Sequence, residues 1–108
     1  LFLDRKVVVG LCGDLWFDTN IDSINKLHPD IVFWSVYTDF NEHEWNTSEK
    51  LEYAAQAGRI NSKVLYVNSL CKDREADDIA RGGAALFAGG RIEAEIPSGQ
   101  EGILVVEV

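Results

Sequence analysis

The 108 residues are enough for one small domain, and a hydrophobic fraction of 46% allows that domain to bury a core. A formal net charge of −8 argues against nucleic acid or an anionic membrane as a partner. No apolar stretch approaches the ~20 residues of a membrane-spanning helix, and no signal peptide is visible, so two cysteines predict free thiols in the cytoplasm.

The first predicted element is a strand that ends at a cysteine. The valine-rich run from Lys6 to Leu11 predicts a buried central strand. Gly13 follows Cys12 directly and is expected to let the backbone turn sharply just past the strand. Open α/β folds place their ligands at the carboxyl edge of the sheet, so Cys12 is a candidate nucleophile there.

Helices and strands alternate through the middle of the chain. The predicted elements are a helix with apolar Ile21, Ile24 and Leu27 that ends at His28-Pro29, a strand over 31–37, and a polar loop over 38–45. They continue with a helix that opens at Asn46, Thr47 or Ser48 and has Leu51, Ala54, Ala55 and Ala57 on one face, and a strand over 63–68.

The rest of the chain is rich in strands. A charged segment over 71–78 precedes a predicted hairpin, with strands 84–88 and 91–96 joined by two glycines. A turn over 98–102 leads into a last predicted strand over 103–108. Strand–helix–strand units predict parallel pairing and hairpins predict antiparallel pairing, so residues 1–108 are expected to form one α/β domain with a mixed sheet.

Three sequence blocks together resemble the carbon–nitrogen hydrolase, or nitrilase/amidase, superfamily. The segment 10–17, Gly-Leu-Cys-Gly-Asp-Leu-Trp-Phe, is similar to the family's nucleophile block and closest to the Cys-x-Asp-Leu-Trp variant of glutamine-amidase members. Trp45, the alanine-rich helix and segment 64–68 resemble the middle block. Segments 82–91 and 97–104 resemble the family's Gly-Gly-Ser, Asp-x-x-Gly and closing-strand region.

The resemblance implies a fold and a reaction. The fold is the C-terminal half of a four-layer α-β-β-α sandwich. The reaction is cleavage of non-peptide amide or nitrile C–N bonds through a cysteine thioester, with Cys12 as nucleophile and the Gly13 amide as oxyanion donor. It implies no cofactor and no metal.

The family's Glu base and its Lys precede the cysteine, and residues 1–11 supply neither role. Lys6 lies roughly 20 Å from Cys12 at ~3.3 Å per residue. The chain is therefore expected to be a fragment that is inactive alone, and whether it acts as an enzyme stays open.

Other candidate residues have competing interpretations. Trp16 and Tyr37 are candidates for binding substrate and, with Trp34, for lining a pocket at the strand ends, with core packing as the alternative. The Glu-His-Glu segment 42–44 lacks the ligand spacing of a zinc site and predicts a hydrated acidic loop. Cys71 follows an apolar strand and is expected to be a small buried residue.

A half-domain would leave an apolar sheet face or edge uncovered. We therefore expect the chain to form a homo-oligomer such as a dimer, or to pair with an N-terminal half, and to meet a small-molecule amide only as part of the parent enzyme. The alternative is a non-catalytic oligomerising or small-molecule-binding module derived from the family, in which Cys12 is a relic.

Overall fold

Five strands form one mixed sheet in the order β1-β2-β3-β4-β5 in the computed structural model, which describes residues 3–73, 75 and 79–107. β1, β2 and β3 pair in parallel, whereas β4 pairs antiparallel to β3 and β5. The predicted α/β class and mixed pairing are confirmed. The strands are β1 (Val7–Leu11), β2 (Ile31–Val36), β3 (Lys63–Asn68), β4 (Ala84–Ala88) and β5 (Arg91–Ile96).

The valine-rich first strand is an edge strand, so the prediction of a buried central strand is wrong. Among the described strands β1 pairs with β2 alone, and Val9 is 60% exposed. A continuous apolar run is typical of any strand that is apolar on both faces. It does not reveal whether both neighbouring strands and both covering layers are present in the same chain.

Two helical segments cover one face of the sheet. The first is α1 (Asp18–Leu27), in which Ile21 and Ile24 are buried as predicted and Leu27 is exposed. Its capping residue, His28, has a left-handed backbone with φ of 49°, which ends the helix before Pro29.

The second helical segment begins earlier than predicted. α2 (Glu42–Glu44) continues through a π-helical turn (Trp45–Glu49) into α3 (Lys50–Ala57), so the polar loop expected over 38–45 is shorter. Asn41 starts the helix, because its side-chain oxygen accepts a hydrogen bond from the Glu44 amide at 2.8 Å.

The buried face of α3 also differs from the prediction. Tyr53, Ala54 and Ala57 are buried, whereas Leu51 and Ala55 are exposed. The π-helical turn adds a residue to the helical repeat just before α3, which rotates its inward face relative to a regular helix.

Aromatic rings fill the space between α3 and the sheet. The centre of the Tyr53 ring lies 5.1 Å from that of Trp34, 4.9 Å from Trp45 and 5.6 Å from Tyr66. Trp34 and Tyr66 come from adjacent central strands and are almost fully buried. The α3 helix is therefore fixed over the carboxyl half of the parallel strands, where the candidate site lies.

The hairpin prediction is confirmed and the last predicted strand is not. Gly89 and Gly90 both have positive φ, 58° and 80°, as a two-residue hairpin turn of type I′ requires. Residues 103–107 form no strand, and Val108 lies outside the described residues. Of the predicted charged segment, residues 74 and 76–78 also lie outside the described part of the chain.

The second face of the sheet is apolar and uncovered by the described helices. Along β2, Val32, Trp34 and Val36 point into the core, and Phe33 between them is 38% exposed. Val9, Phe33 and Leu65 are register neighbours across three strands. We call the surface formed by Val9, Phe33, Leu65 and Val67 the open face. The expected uncovered apolar face is thus present in part, because Leu3 and Val106 line a hollow with Ile31 and Phe33 on the same side of the sheet, and Ile31 is only 2% exposed.

Candidate functional site

Cys12 lies at a sharp turn between β1 and a short 3₁₀ helix (Cys12–Trp16). Its φ is 49°, in the left-handed region that residues with a Cβ rarely adopt, and the residue is exposed. Such a conformation costs roughly 1–2 kcal/mol and persists only where surrounding contacts enforce it. The fold therefore fixes this cysteine at the carboxyl edge of the parallel strands.

Hydrogen bonds from three elements hold the Cys12 turn in place. The Leu11 amide donates to the Asp14 carboxylate at 3.0 Å within the turn. The Trp34 indole N–H donates to the Cys12 carbonyl at 2.8 Å, and the Gln56 side chain donates to the Leu15 carbonyl at 2.7 Å. These bonds tie the turn to β2 and to α3, so its backbone shape does not depend on local preference alone.

Of the two glycines near Cys12, Gly13 differs from expectation. The left-handed residue is Cys12 itself and not Gly13, so the prediction that Gly13 relieves the backbone at the turn is wrong. A Cβ at position 13 would meet no atom within 4 Å. Gly10 is the constrained position, because a Cβ there would overlap the fully buried Leu15 side chain. Gly10 thus allows the 3₁₀ helix to fold back over β1.

A cavity of about 260 Å³ opens beside the Cys12 turn. Cys12, Gly13, Trp16 and Tyr37, the four residues predicted for the site, all line it. The remaining lining residues are Val36, Thr38 and Tyr53. The arrangement places a thiol, a backbone amide, aromatic walls and hydroxyl groups around one small space.

Gly13 lines the cavity beside Cys12. It belongs to the first turn of the 3₁₀ helix, where backbone N–H groups have no acceptor within the helix. No Lys, Arg, His, Asp or Glu side chain lines the cavity in the described part of the chain. Cys12 therefore has hydrogen-bond donors nearby but no charged neighbour in the cavity wall.

Asn68 fixes the loop that brings Thr38 to the cavity. Its side-chain oxygen accepts from the Thr38 amide at 2.9 Å, and its side-chain nitrogen donates to the carbonyls of Thr38 and Gly82 at 3.2 and 3.1 Å. Asn68 is itself buried, at the end of β3. This residue connects the loop after β2 to the glycine loop before β4.

Tyr53 in the cavity wall and Tyr66, which packs against it, both have a pKa above the ordinary tyrosine value. Burial, followed by the charges of Glu49 and Cys12, raises the pKa of Tyr53. Burial raises the pKa of Tyr66 far above its ordinary value, although Thr38 lies near enough to oppose this effect. The Tyr66 hydroxyl has no partner of good hydrogen-bond geometry among the described residues.

The other candidates lie outside this cavity. Trp34 is fully buried and acts through its bond to the Cys12 carbonyl, so it does not line the cavity. His43 lies in α2 rather than in a loop, and the described residues contain no cluster of three metal-ligating side chains. Cys71 is half-buried rather than buried, and its thiol faces the Asp73 carbonyl at 3.7 Å.

Sequence reasoning missed Thr38 and Tyr53. Thr38 is the second residue after β2, so its position at a strand end was available as a signal. The sequence carries no such signal for Tyr53, because the π-helical turn changes which side chains of α3 face the sheet.

Comparison with solved structures identifies the fold. The chain superposes on a glutamine-dependent NAD+ synthetase from Acinetobacter baumannii with a TM-score of 0.78 and 21% identity, covering 94% of this chain and 19% of that one. Saccharomyces cerevisiae Nit3, of branch 10 of the nitrilase superfamily, gives 0.65 at 18% identity, covering 88% and 34%.

A third neighbour is an amidase from Nesterenkonia sp. AN1, with a TM-score of 0.62 and 15% identity over 87% of this chain and 34% of that chain. That structure contains the acetamide moiety of fluoroacetamide added covalently at the active-site cysteine. By sequence, no protein family and no curated protein matches the chain.

These likenesses confirm the predicted fold, and the chain spans only 19% to 34% of the length of these three neighbours. No helix in the described residues is long and apolar enough to span a membrane.

Proposed function

Because the chain has part of a nitrilase-type fold, we propose that it carries the nucleophile segment of a carbon–nitrogen hydrolase, with Cys12 as the attacking residue. The observation that carries this proposal is the cavity in which the braced Cys12 turn meets the Gly13 amide, Trp16 and Tyr37. A nucleophilic cysteine must be a free thiol, and both cysteines of the chain are free. Because the cytoplasm keeps thiols reduced, we propose a cytoplasmic location.

The proposed reaction follows from these groups. The Cys12 sulfur attacks the carbonyl carbon of an amide, and the Gly13 N–H stabilises the oxyanion that forms. The C–N bond then breaks, and the amine leaves with the proton that a base took from the thiol. Water hydrolyses the thioester and regenerates the thiol. A nitrile would first add the thiol across its C≡N bond to give a thioimidate, with the thiol proton on nitrogen. One water would then displace ammonia to leave the thioester, and a second water would release the acid and the thiol.

The base and the cation of this reaction are proposed to come from outside the 108 residues. The cavity wall contains no carboxylate and no ammonium group among the described residues, and Cys12 attack on an amide requires a proton acceptor. We therefore expect the chain by itself to react with activated acyl compounds and not to turn over amides.

The remainder of the fold is proposed to cover the open face. Val9, Phe33 and Val67 are 60%, 38% and 50% exposed on one side of the sheet. Isolated chains with such a surface are expected to associate, as a dimer of this chain or with the segment that completes the sandwich.

Light scattering on the purified chain tests the association. We expect a mass above that of the monomer, and Phe33→Lys should lower it while leaving the circular dichroism spectrum unchanged. Leu51→Lys is the matched control, because Leu51 is also exposed but lies on α3. A compact monomer of the unmodified chain would contradict the proposal.

The alternative function is a binding module without catalysis. The lack of a charged neighbour for Cys12 in the described cavity wall favours it. In that case the cavity would hold a small molecule and the thiol would have no special reactivity.

Acetylation by p-nitrophenyl acetate distinguishes the two functions, because its leaving group needs no proton. Peptide mapping of the native chain should place the acetyl group on Cys12, sensitive to hydroxylamine, well before Cys71 reacts. Cys12→Ser should abolish the signal and Cys71→Ser should not. Equal acetylation of both cysteines would support the binding module and contradict the hydrolase proposal.

A further inference from the structure

The Cys12 cavity contains a polar group that the reaction above does not use, the hydroxyl of Tyr53. Tyr53 lies in α3 and lines the cavity together with Cys12 and Gly13. Although the residue is only 8% exposed, its hydroxyl makes no hydrogen bond to another described residue. Tyr53 therefore presents a hydrogen-bonding group beside the thiol that no described residue uses.

The Tyr53 hydroxyl reaches the cavity rather than being sealed in the core. Among the described residues, the buried side-chain oxygens that lack a partner are those of Ser62 and Tyr66, and Tyr53 is not one of them. Its oxygen is therefore accessible to a molecule that enters beside Cys12. The effect of the Cys12 charge on the pKa of Tyr53 also places the two groups within electrostatic reach.

Aromatic packing holds the Tyr53 ring in place. The Tyr53 ring stacks on Trp34 with centres 5.1 Å apart, and meets Trp16 and Trp45 edge-on at 5.2 and 4.9 Å. A ring held on three sides needs little reorganisation when a ligand binds, which is the property of an effective hydrogen-bond donor. A phenol is protonated at neutral pH and can donate, and burial, followed by the charges of Glu49 and Cys12, raises the pKa of Tyr53 further.

We propose that the Tyr53 hydroxyl donates a hydrogen bond to the acyl oxygen of the compound that Cys12 attacks, as a second donor beside the Gly13 amide. This inference rests on the proposed function, since it requires an acyl group at Cys12. When the S–C bond forms, the π electrons of the carbonyl move to its oxygen. The Gly13 N–H and the Tyr53 O–H then stabilise that charge, and Tyr53 transfers no proton.

Two reactions of the same thiol test the inference. Acetylation by p-nitrophenyl acetate develops an oxyanion, whereas alkylation by iodoacetamide displaces iodide directly and develops none. Tyr53→Phe keeps the ring and removes only the hydroxyl. It should slow acetylation of Cys12 by about 10- to 100-fold, the value of a hydrogen bond to a charged group, and leave alkylation unchanged.

Tyr66→Phe is the matched control, because it removes a buried phenol from the same aromatic cluster outside the cavity wall. It should change neither rate. Incorporation of 3-fluorotyrosine in place of Tyr53 keeps the donor and should restore acetylation, which guards against a folding defect in Tyr53→Phe.

Three outcomes would overturn the inference: an equal fall in both rates, which indicates a structural role; no fall in acetylation; or loss of acetylation in Thr38→Val but not in Tyr53→Phe. The unmodified chain reports separately on the proposed function. If its Cys12 is acetylated no faster than Cys71, the hydrolase proposal fails and the role of Tyr53 fails with it. If Cys12 is acetylated faster than Cys71 but Tyr53→Phe does not slow this acetylation selectively, the inference about Tyr53 fails and the hydrolase proposal stands.

Discussion

Replacing Asn68 by alanine should remove the connection between the loop after β2 and the glycine loop before β4. Three hydrogen bonds of 2.9 to 3.2 Å are lost, two with Thr38 and one with Gly82. A net value near 1 kcal/mol for each bond predicts a loss of about 3 kcal/mol in the free energy of unfolding. The groups left unpartnered are buried or half-buried, so water replaces the lost bonds only in part.

Urea unfolding followed by tryptophan fluorescence measures this loss. With a slope of about 1–3 kcal/mol per molar urea, the midpoint should fall by roughly 1–3 M. Asn61→Ala is the matched control, because Asn61 is exposed and its side chain makes no hydrogen bond to a described residue. It should shift the midpoint very little. If Asn68→Ala shifts it no more than this control does, the reasoning that this residue holds Thr38 at the cavity is refuted.

The other predictions concern packing, backbone and pH. Gly10→Ala should lower the free energy of unfolding by about 1–3 kcal/mol, since its Cβ would overlap Leu15, and a cost below that of Gly13→Ala would contradict this packing. Gly13→Ala should change it by less than about 0.5 kcal/mol in the same urea assay, because the space around position 13 is open. Folding raises the pKa of Tyr66. The contribution of its neutral phenol to the free energy of unfolding is therefore complete below the unfolded pKa of about 10. Above that pH the contribution is lost at about 1.4 kcal/mol per pH unit. Tyr66→Phe should flatten that decline in unfolding curves between pH 9 and 11, and an unchanged slope would show that the phenol is not kept neutral by the fold.

Elements with a local signal were predictable from the sequence. β3 has the predicted bounds, and the hairpin of β4 and β5 follows from two adjacent glycines that adopt positive φ. Cys12, Gly13, Trp16 and Tyr37 could be expected to lie near one another because they follow the ends of adjacent parallel strands, and all four line one cavity. Strand order and register then bring them together without further information.

Features that depend on distant or additional layers were not predictable. The edge position of β1 depends on which strands pair with it, and the absence of a strand over 103–107 depends on the absence of a pairing partner among the described strands. The left-handed Cys12 was missed because tertiary hydrogen bonds, such as that from Trp34, enforce a conformation that local preference assigns to glycine. Tyr53 was missed because the π-helical turn rotates α3.

The most direct test of Cys12 as a nucleophile is the rate of its acetylation in the folded chain relative to the chain unfolded in urea. On the proposals above, the Gly13 amide and the Tyr53 hydroxyl both donate to the acyl oxygen in the folded chain, and unfolding removes both donors. We therefore expect p-nitrophenyl acetate to acetylate Cys12 at least about tenfold faster in the folded chain, while Cys71 reacts faster when unfolded. A folded rate equal to or below the unfolded rate at Cys12 would contradict the account.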